Sequence, residues 1–249
     1  MSTAIKTKMV LPTVKSEVDS RWISQDMLMI GPPKIGKSKF FSYGEKTLYI
    51  QTEPGLKHLS VMKVVCHSWD DFRDIYSELL KLDQDGKFPY DTIVIDTIDR
   101  LVDYVNAEVI ERGKEKFKTL PIYTIGDLPN GQGYSGAKDL ATNALAKLSN
   151  LPACIALIGH LASKEISLEN NVKMTLQTIA LSPSIGMSIC AWADHIINIE
   201  GGNKSGSRKI RARPTGNVMA GSRGDLIPPD LVWTEDSKVN YTKFRALFK

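Results

Sequence analysis

The sequence predicts an α/β protein: a mostly parallel twisted sheet flanked by helices, with an antiparallel extension in its last third. Three observations carry this. Short runs rich in Val, Ile and Leu recur along the first two thirds of the chain, and helical periodicity fills the gaps between them. The first clear run, Met27-Leu-Met-Ile30, opens directly into a glycine-bearing turn followed by helix-compatible residues. Beyond residue 174 the runs are separated by short turns, as antiparallel neighbours allow.

Taken in order, residues 1–25 lack firm periodicity and read as an extended N-terminal arm that packs on the core. The main domain is expected over 26–235 and a C-terminal tail over 236–249. Strands are expected at 27–30, 47–51, 62–66, 92–96, 154–159, 174–180, 194–199 and 208–212. Helices are expected at 69–82, opened by Ser68 and acids, at 99–112, and at 135–149, where Leu140, Ala144, Leu145 and Leu148 share one face. Gly201 to Gly206 has the composition of a hairpin turn. The stretches 113–134 and 161–173 read as long irregular loops, and such loops inside a compact domain are usually functional or mobile.

At 249 residues the chain is long enough to fold without disulfides or a structural metal. Its 42% hydrophobic and 24% charged content is that of an ordinary globular protein. Cys66, Cys154 and Cys190 are odd in number and lie in apolar runs, so they read as buried thiols of a reducing compartment. No long apolar leader opens the chain and no run reaches membrane-spanning length, so a cytoplasmic protein without a membrane partner is expected. The net charge of +4 is unevenly spread: residues 201–225 hold six bases against Asp225 alone, whereas residues 70–112 hold twelve acids and five bases. The basic stretch suits phosphate, a neighbouring subunit's nucleotide or nucleic acid, and equally a solvated loop.

Chemistry enters at Gly31, Pro32, Pro33, Lys34, Ile35, Gly36, Lys37 and Ser38, which fit G-x-x-x-x-G-K-[ST]. Glycines let backbone N–H groups curl around phosphate oxygens, the lysine reaches the β- and γ-phosphates, and the serine hydroxyl ligates Mg²⁺. ATP and Mg²⁺ are therefore the expected cofactors, with Lys39 continuing the nucleotide-binding segment. Thr92-Ile-Val-Ile-Asp96 is a β-branched run ending in an acid, the form of a Walker B strand, which makes Ser38 and Asp96 the expected metal-side residues. Thr97 stands where many ATPases place a water-activating glutamate, so the base must come from elsewhere. Glu53 directly follows the apolar run Leu48-Tyr-Ile-Gln-Thr52, expected beside the phosphate-loop strand, and reads either as that base or as an acid starting a turn. His160 ends the strand 154–159 and reads either as a γ-phosphate contact or as a structural histidine.

Together these residues resemble the RecA-like ATPase core, in particular the compact single-domain RecA-like proteins of bacteriophages associated with single-strand annealing and recombination. The resemblance covers about residues 25–235 and rests on Gly31–Ser38, Thr52–Leu56, Ile93–Thr97, Gly131–Tyr134, Ile158–His160, Ala193–His195 and Arg211 to Arg223. It implies a RecA-like P-loop NTPase fold in which Glu53 is the catalytic glutamate and His160 takes the place of the γ-phosphate sensor. It implies DNA contacts from Lys164 and Lys173 on the second loop, and from Lys114, Lys116 and Lys118 on the first. It also implies a homo-oligomer with nucleotide at the subunit interface, completed in trans by Lys209, Arg211 and Arg213, or by Arg223. Single-stranded DNA, a single-strand-binding protein and, if phage-encoded, the host cytoplasm follow as partners and location. RecA's N-terminal helical domain and C-terminal domain have no counterpart, so filament formation and strand exchange are not implied. A helicase-type motor or a regulatory ATPase acting on proteins is the alternative; a small-molecule phosphotransferase would need an arginine-bearing lid that the sequence does not display.

Overall fold

The computed structural model describes residues 11–167, 173–201, 208–228, 230–233 and 236–249. Its strands are β1 (Asp26–Gly31), β2 (Thr47–Gln51), β3 (Met62–Val65), β4 (Thr92–Asp96), β5 (Cys154–Ser167), β6 (Lys173–Ile179), β7 (His195–Gly201), β8 (Arg208–Arg211), β9 (Gly221–Ser222) and β10 (Asp230–Trp233). Its helices are α1 (Lys37–Phe41), α2 (Trp69–Gln84), α3 (Ile98–Lys116), α4 (Gln132–Leu148), α5 (Pro183–Trp192) and α6 (Ser237–Arg245). The main sheet runs β10-β8-β7-β1-β5-β4-β2-β3. The strands from β7 to β3 are parallel, while β8 and β9 run antiparallel to β7. The α/β class, the parallel sheet and the antiparallel extension expected from the sequence are all present.

Two apolar cores explain why the central strands read as almost unbroken hydrophobic runs, since a parallel sheet is covered on both faces. Alternate residues serve opposite sides: Leu28, Ile30, Ile93, Ile95, Ile155 and Leu157 join the core shared with α2 to α5. Met27, Met29, Val94, Ala156 and Ile158 join the core shared with α1 and α6. The N-terminus of α2 is fixed locally: the Ser68 hydroxyl accepts from the Asp71 N–H at 3.1 Å, and Asp71 accepts from the His67 N–H at 2.7 Å.

Residues 11–19 of the expected arm are exposed and do not pack on the core, but Trp22 and the C-terminal segment feed the second one. Trp22 is 1% exposed and meets Tyr241, Phe244 and Phe248 edge-on. The tail expected after residue 235 folds as α6, capped by Asp236, whose carboxylate accepts from the Lys238 and Val239 N–H groups.

Three expectations are corrected. The stretch 161–173 is not an irregular loop: β5 continues through Ser167 and pairs residue for residue with β6, from Leu161 opposite Ile179 to Ser167 opposite Lys173. Backbone groups that leave the sheet edge gain ladder partners there, while Lys164 and Glu165 stay exposed. In the stretch 113–134, α3 runs on to Lys116, α4 begins at Gln132, and 3₁₀ turns at Ile125–Asp127 and Pro129–Gly131 lie between. Finally, β2 does not neighbour β1, because β5 and β4 lie between them. The hairpin turn expected over Gly201 to Gly206 falls, beyond Gly201, outside the described residues, as do Lys204, residues 1–10 and residues 168–172.

Candidate active site

The site is built at the carboxyl ends of β1, β5, β4 and β2, where an open parallel sheet leaves its crevice. β1 ends at Gly31, and the chain turns through Pro32 to Gly36 into α1. Two glycines are dictated by geometry. A Cβ on Gly31 would lie 2.8 Å from the Ile199 carbonyl oxygen, too close for any side chain. Gly36 has φ +103°, and a Cβ there would also meet the Arg208 guanidinium at 3.0 Å. Lys34, at φ 61°, is a left-handed residue in the same loop.

Lys37 is only 7% exposed, and its amine donates to the carbonyls of Gly31 at 2.7 Å and Pro32 at 3.0 Å. Burial pulls its pKa down, while the carboxylates of Asp96, Asp99 and Glu53 pull it back up. Burial raises the Asp96 pKa, while the Ser38 hydroxyl and the Lys37 amine near it oppose that rise. Tyr49, on β2, donates to the Ser38 carbonyl at 2.7 Å and ties the first turn of α1 to the sheet.

A hydroxyl and a carboxylate placed side by side are the hard oxygen donors that a phosphate-bound Mg²⁺ uses, and the two residues fit that ion. Among the described residues no three His, Cys, Asp or Glu side chains form a protein cage, so such an ion would share its coordination with phosphate and water. It would neutralise charge on the phosphates.

Glu53 reaches the site from the far side of Asp96, not from beside the phosphate loop. The register places Gln51 opposite Asp96, Asp96 opposite Ile158, and His160 opposite Gly31. His160 therefore stands between the phosphate-loop strand and the Walker B strand. Its Nε2 is 3.7 Å from Glu53 Oε1 and its Nδ1 is 3.3 Å from Asp99 Oδ2, and the Asp99 carboxylate also accepts from the His160 backbone N–H at 3.0 Å. With Glu53 39% and His160 37% exposed, this corner opens to solvent, where a γ-phosphate and an attacking water can enter. The structure brings Lys37, Ser38, Asp96, Glu53 and His160 together, as the sequence predicts.

The candidate trans cations are engaged within the chain. Arg211 pairs with Glu200 at 3.0 and 3.2 Å, and Arg213 pairs with Asp225 at 3.0 Å. Lys209 and Arg211 alternate on β8, but Arg213 lies past its end. Arg223 donates to Asp194 at 2.8 Å and to the Ala191 carbonyl.

Lys164 is exposed on the β5–β6 hairpin, and Lys173 pairs across that hairpin with Glu165 at 3.2 Å. Lys114 and Lys116 are not brought near them. They lie at the far end of α3, which runs away from Asp96 and separates Lys116 from Asp99 by about 25 Å of helix. There Lys114 pairs with Glu111 at 2.6 Å and Lys116 with Gln132 at 2.9 Å.

Two site residues escape the sequence reading. Asp99 looks like an ordinary first-turn acid of α3. Arg208 sits among several bases with nothing to single it out, yet its guanidinium covers Gly36 and donates to Ser237 at 3.3 Å.

A phosphate loop on the first parallel strand, with a Walker B acid beside its serine, defines a P-loop nucleotide-binding protein of the ATPase type. The chain belongs to the AAA domain family, whose model matches residues 23–224. Over 83 residues it is 31% identical to the SPbeta prophage-derived uncharacterized protein YorG of Bacillus subtilis (strain 168), a match covering 33% of this chain and 26% of that protein. The chain thus spans about a quarter of that relative's length. Among solved structures it aligns with the crystal structure of the RadB recombinase at a TM-score of 0.43 and 12% identity, over 78% of this chain and 83% of that one. Among the described residues no helix is long and apolar enough to cross a membrane.

Proposed function

We propose that the chain is an Mg²⁺-dependent ATPase of RecA-like kind that acts on single-stranded DNA in phage recombination or annealing. One observation carries the hydrolytic half: Lys37, Ser38, Asp96, Glu53 and His160 converge at adjoining strand ends, with Glu53 and His160 3.7 Å apart on the open side. In this reading Lys37 and the loop N–H groups hold the triphosphate, and Ser38 with Asp96 holds the metal. Glu53 polarises the attacking water, and His160 contacts the γ-phosphate. Support for DNA comes from the β5–β6 hairpin, which begins at the residue after His160 and carries Lys164 and Lys173. A strand that touches nucleotide at one end and DNA at the other would couple the two. Nucleotide shared between subunits, and a single-strand-binding protein as partner, belong to the same reading.

A second reading, a regulatory ATPase without direct DNA action, is favoured by the internal pairing of Arg211 and Arg213 and by the remote position of Lys114 and Lys116. ATP hydrolysis measured with and without single-stranded DNA, at low and moderate salt, separates the two, with Glu53→Gln as control. Salt-sensitive stimulation that Glu53→Gln abolishes supports the first reading. Glu53-dependent hydrolysis indifferent to DNA selects the second, and turnover that survives Glu53→Gln removes the assigned base.

A further inference from the structure

Asp99 is the second residue of α3 and lies three positions beyond the Walker B acid. An acid there usually serves the helix N-terminus, with its carboxylate facing water. This one is turned inward: its side chain is 17% exposed, and both of its interactions with His160 run through Oδ2. That oxygen accepts from the His160 backbone N–H at 3.0 Å and lies 3.3 Å from the ring Nδ1. The other oxygen, Oδ1, is buried without a hydrogen-bond partner. Burial opposes the charge on Asp99, and the His160 backbone N–H and ring both favour it.

We propose that Asp99 is a positioning residue that acts through His160, fixing the imidazole by its Nδ1 edge so that Nε2 faces Glu53 and the γ-phosphate position. The proposal rests on the hydrolytic reading above. A histidine has two ring nitrogens, and which one carries the proton is set by the partner of the other. A carboxylate against Nδ1 holds a proton on that nitrogen and leaves Nε2 as the edge turned toward Glu53, 3.7 Å away. Neither nitrogen is then free to rotate into the other's place, because the same carboxylate also holds the peptide from which the ring projects. Glutamine in place of the histidine could contact phosphate with no such partner; histidine needs one to present a defined atom. Asp99 is thereby the reason an imidazole can occupy this position.

The test is a double-mutant cycle on ATP hydrolysis, with binding of a fluorescent ATP analogue measured in parallel. Asp99→Asn should lower kcat by about 10- to 100-fold, the scale set by misplacing a group near the reacting atoms. Analogue affinity should stay within about twofold. In a His160→Gln background the same change should cost less than about twofold, because the group it positions is gone. Equal losses in both backgrounds, or none in either, overturn the proposal. If the wild-type chain proves not to hydrolyse ATP, the hydrolytic reading falls by itself. Nitrogen-15 NMR of the imidazole then decides the positioning: a proton held on His160 Nδ1 that is lost in Asp99→Asn supports it, and an Nδ1 without a proton in the wild type refutes it.

Discussion

The hydroxyl of Thr52 engages both peptide groups of Thr97: it accepts from the N–H at 2.6 Å and donates to the carbonyl oxygen at 2.8 Å. Both residues are buried, and each adjoins an acid of the candidate site, Glu53 on one side and Asp96 on the other. One hydroxyl therefore ties the segment bearing Glu53, the proposed base, to the segment bearing Asp96, the proposed metal-side carboxylate. Thr52→Val keeps the shape, leaves the buried Thr97 N–H unbonded and leaves its carbonyl only the Leu101 N–H at 3.3 Å, so a stability loss of about 1–3 kcal/mol is expected. Turnover should fall more than nucleotide affinity, and Thr52→Ser should behave like the wild type. Denaturant titration with steady-state kinetics checks this; a valine variant equal to the wild type in both would dismiss the link.

Gly36→Ala should abolish nucleotide binding in an isothermal titration. A Cβ there meets the Arg208 guanidinium, and φ +103° strains any L-residue regardless of space. Adding Arg208→Ala removes only the first obstacle, so no recovery is expected. Full rescue by the double change would place the difficulty in the guanidinium clash and not in the backbone.

The salt dependence of DNA affinity should locate the DNA-binding surface. Lys164→Ala together with Lys173→Ala should flatten the slope of log affinity against log salt, by about 0.7 for each phosphate of the single strand that the variant no longer neutralises. Lys114→Ala with Lys116→Ala should leave it unchanged, because those lysines sit at the other end of α3. The reverse outcome would move DNA to the opposite edge of the sheet.

His195 supplies a stability prediction away from the site. It is fully buried between the Ser222 hydroxyl and the Gln25 carboxamide, both at 2.9 Å, and burial lowers its pKa to about 4 against an upward pull from Asp194. Above pH 6.5 both folded and unfolded forms are neutral. Below it the unfolded chain takes a proton that the folded one refuses, so stability falls as the pH drops from about 6.5 to 4. Asp26, raised to about 6 by its own burial, acts in the opposite sense: its contribution is lost as the pH rises through that range. Comparison with His195→Gln isolates the histidine. The stability gap between wild type and variant should shrink by about 2 kcal/mol between pH 7 and 4.5. A gap that stays constant would mean His195 titrates normally.

Much of the fold and site is legible from residues adjacent in the chain. The phosphate loop, the Walker B strand and the strand 47–51 are written as contiguous patterns, and each forms the element expected of it. Sheet order is not written that way: nothing in β2 says that β4 and β5 come between it and β1, so the sequence points Glu53 to the side of a loop that it faces from across Asp96. The stretch 161–173 reads as a loop because its described part carries Ser163, Lys164 and Glu165 in the open. α5 hides behind Pro183 and Gly186, and α6 behind β-branched Val239 and Thr242, because both are held by packing more than by propensity. Asp99 is invisible for a different reason: its partner lies 61 residues away.

β5 is one unbroken strand of 14 residues that begins deep in the parallel sheet and leaves it at His160. The seven residues beyond that histidine extend about 23 Å at the rise of a β-strand. With β6 laddered to it, this segment has the stiffness of a lever, and its fulcrum is the corner where Glu53 and His160 meet. A tilt of only about 5° at His160 would sweep the tip through about 2 Å. Angular change too small to disturb the phosphate loop thus becomes displacement on the scale of a hydrogen bond where the exposed lysines stand.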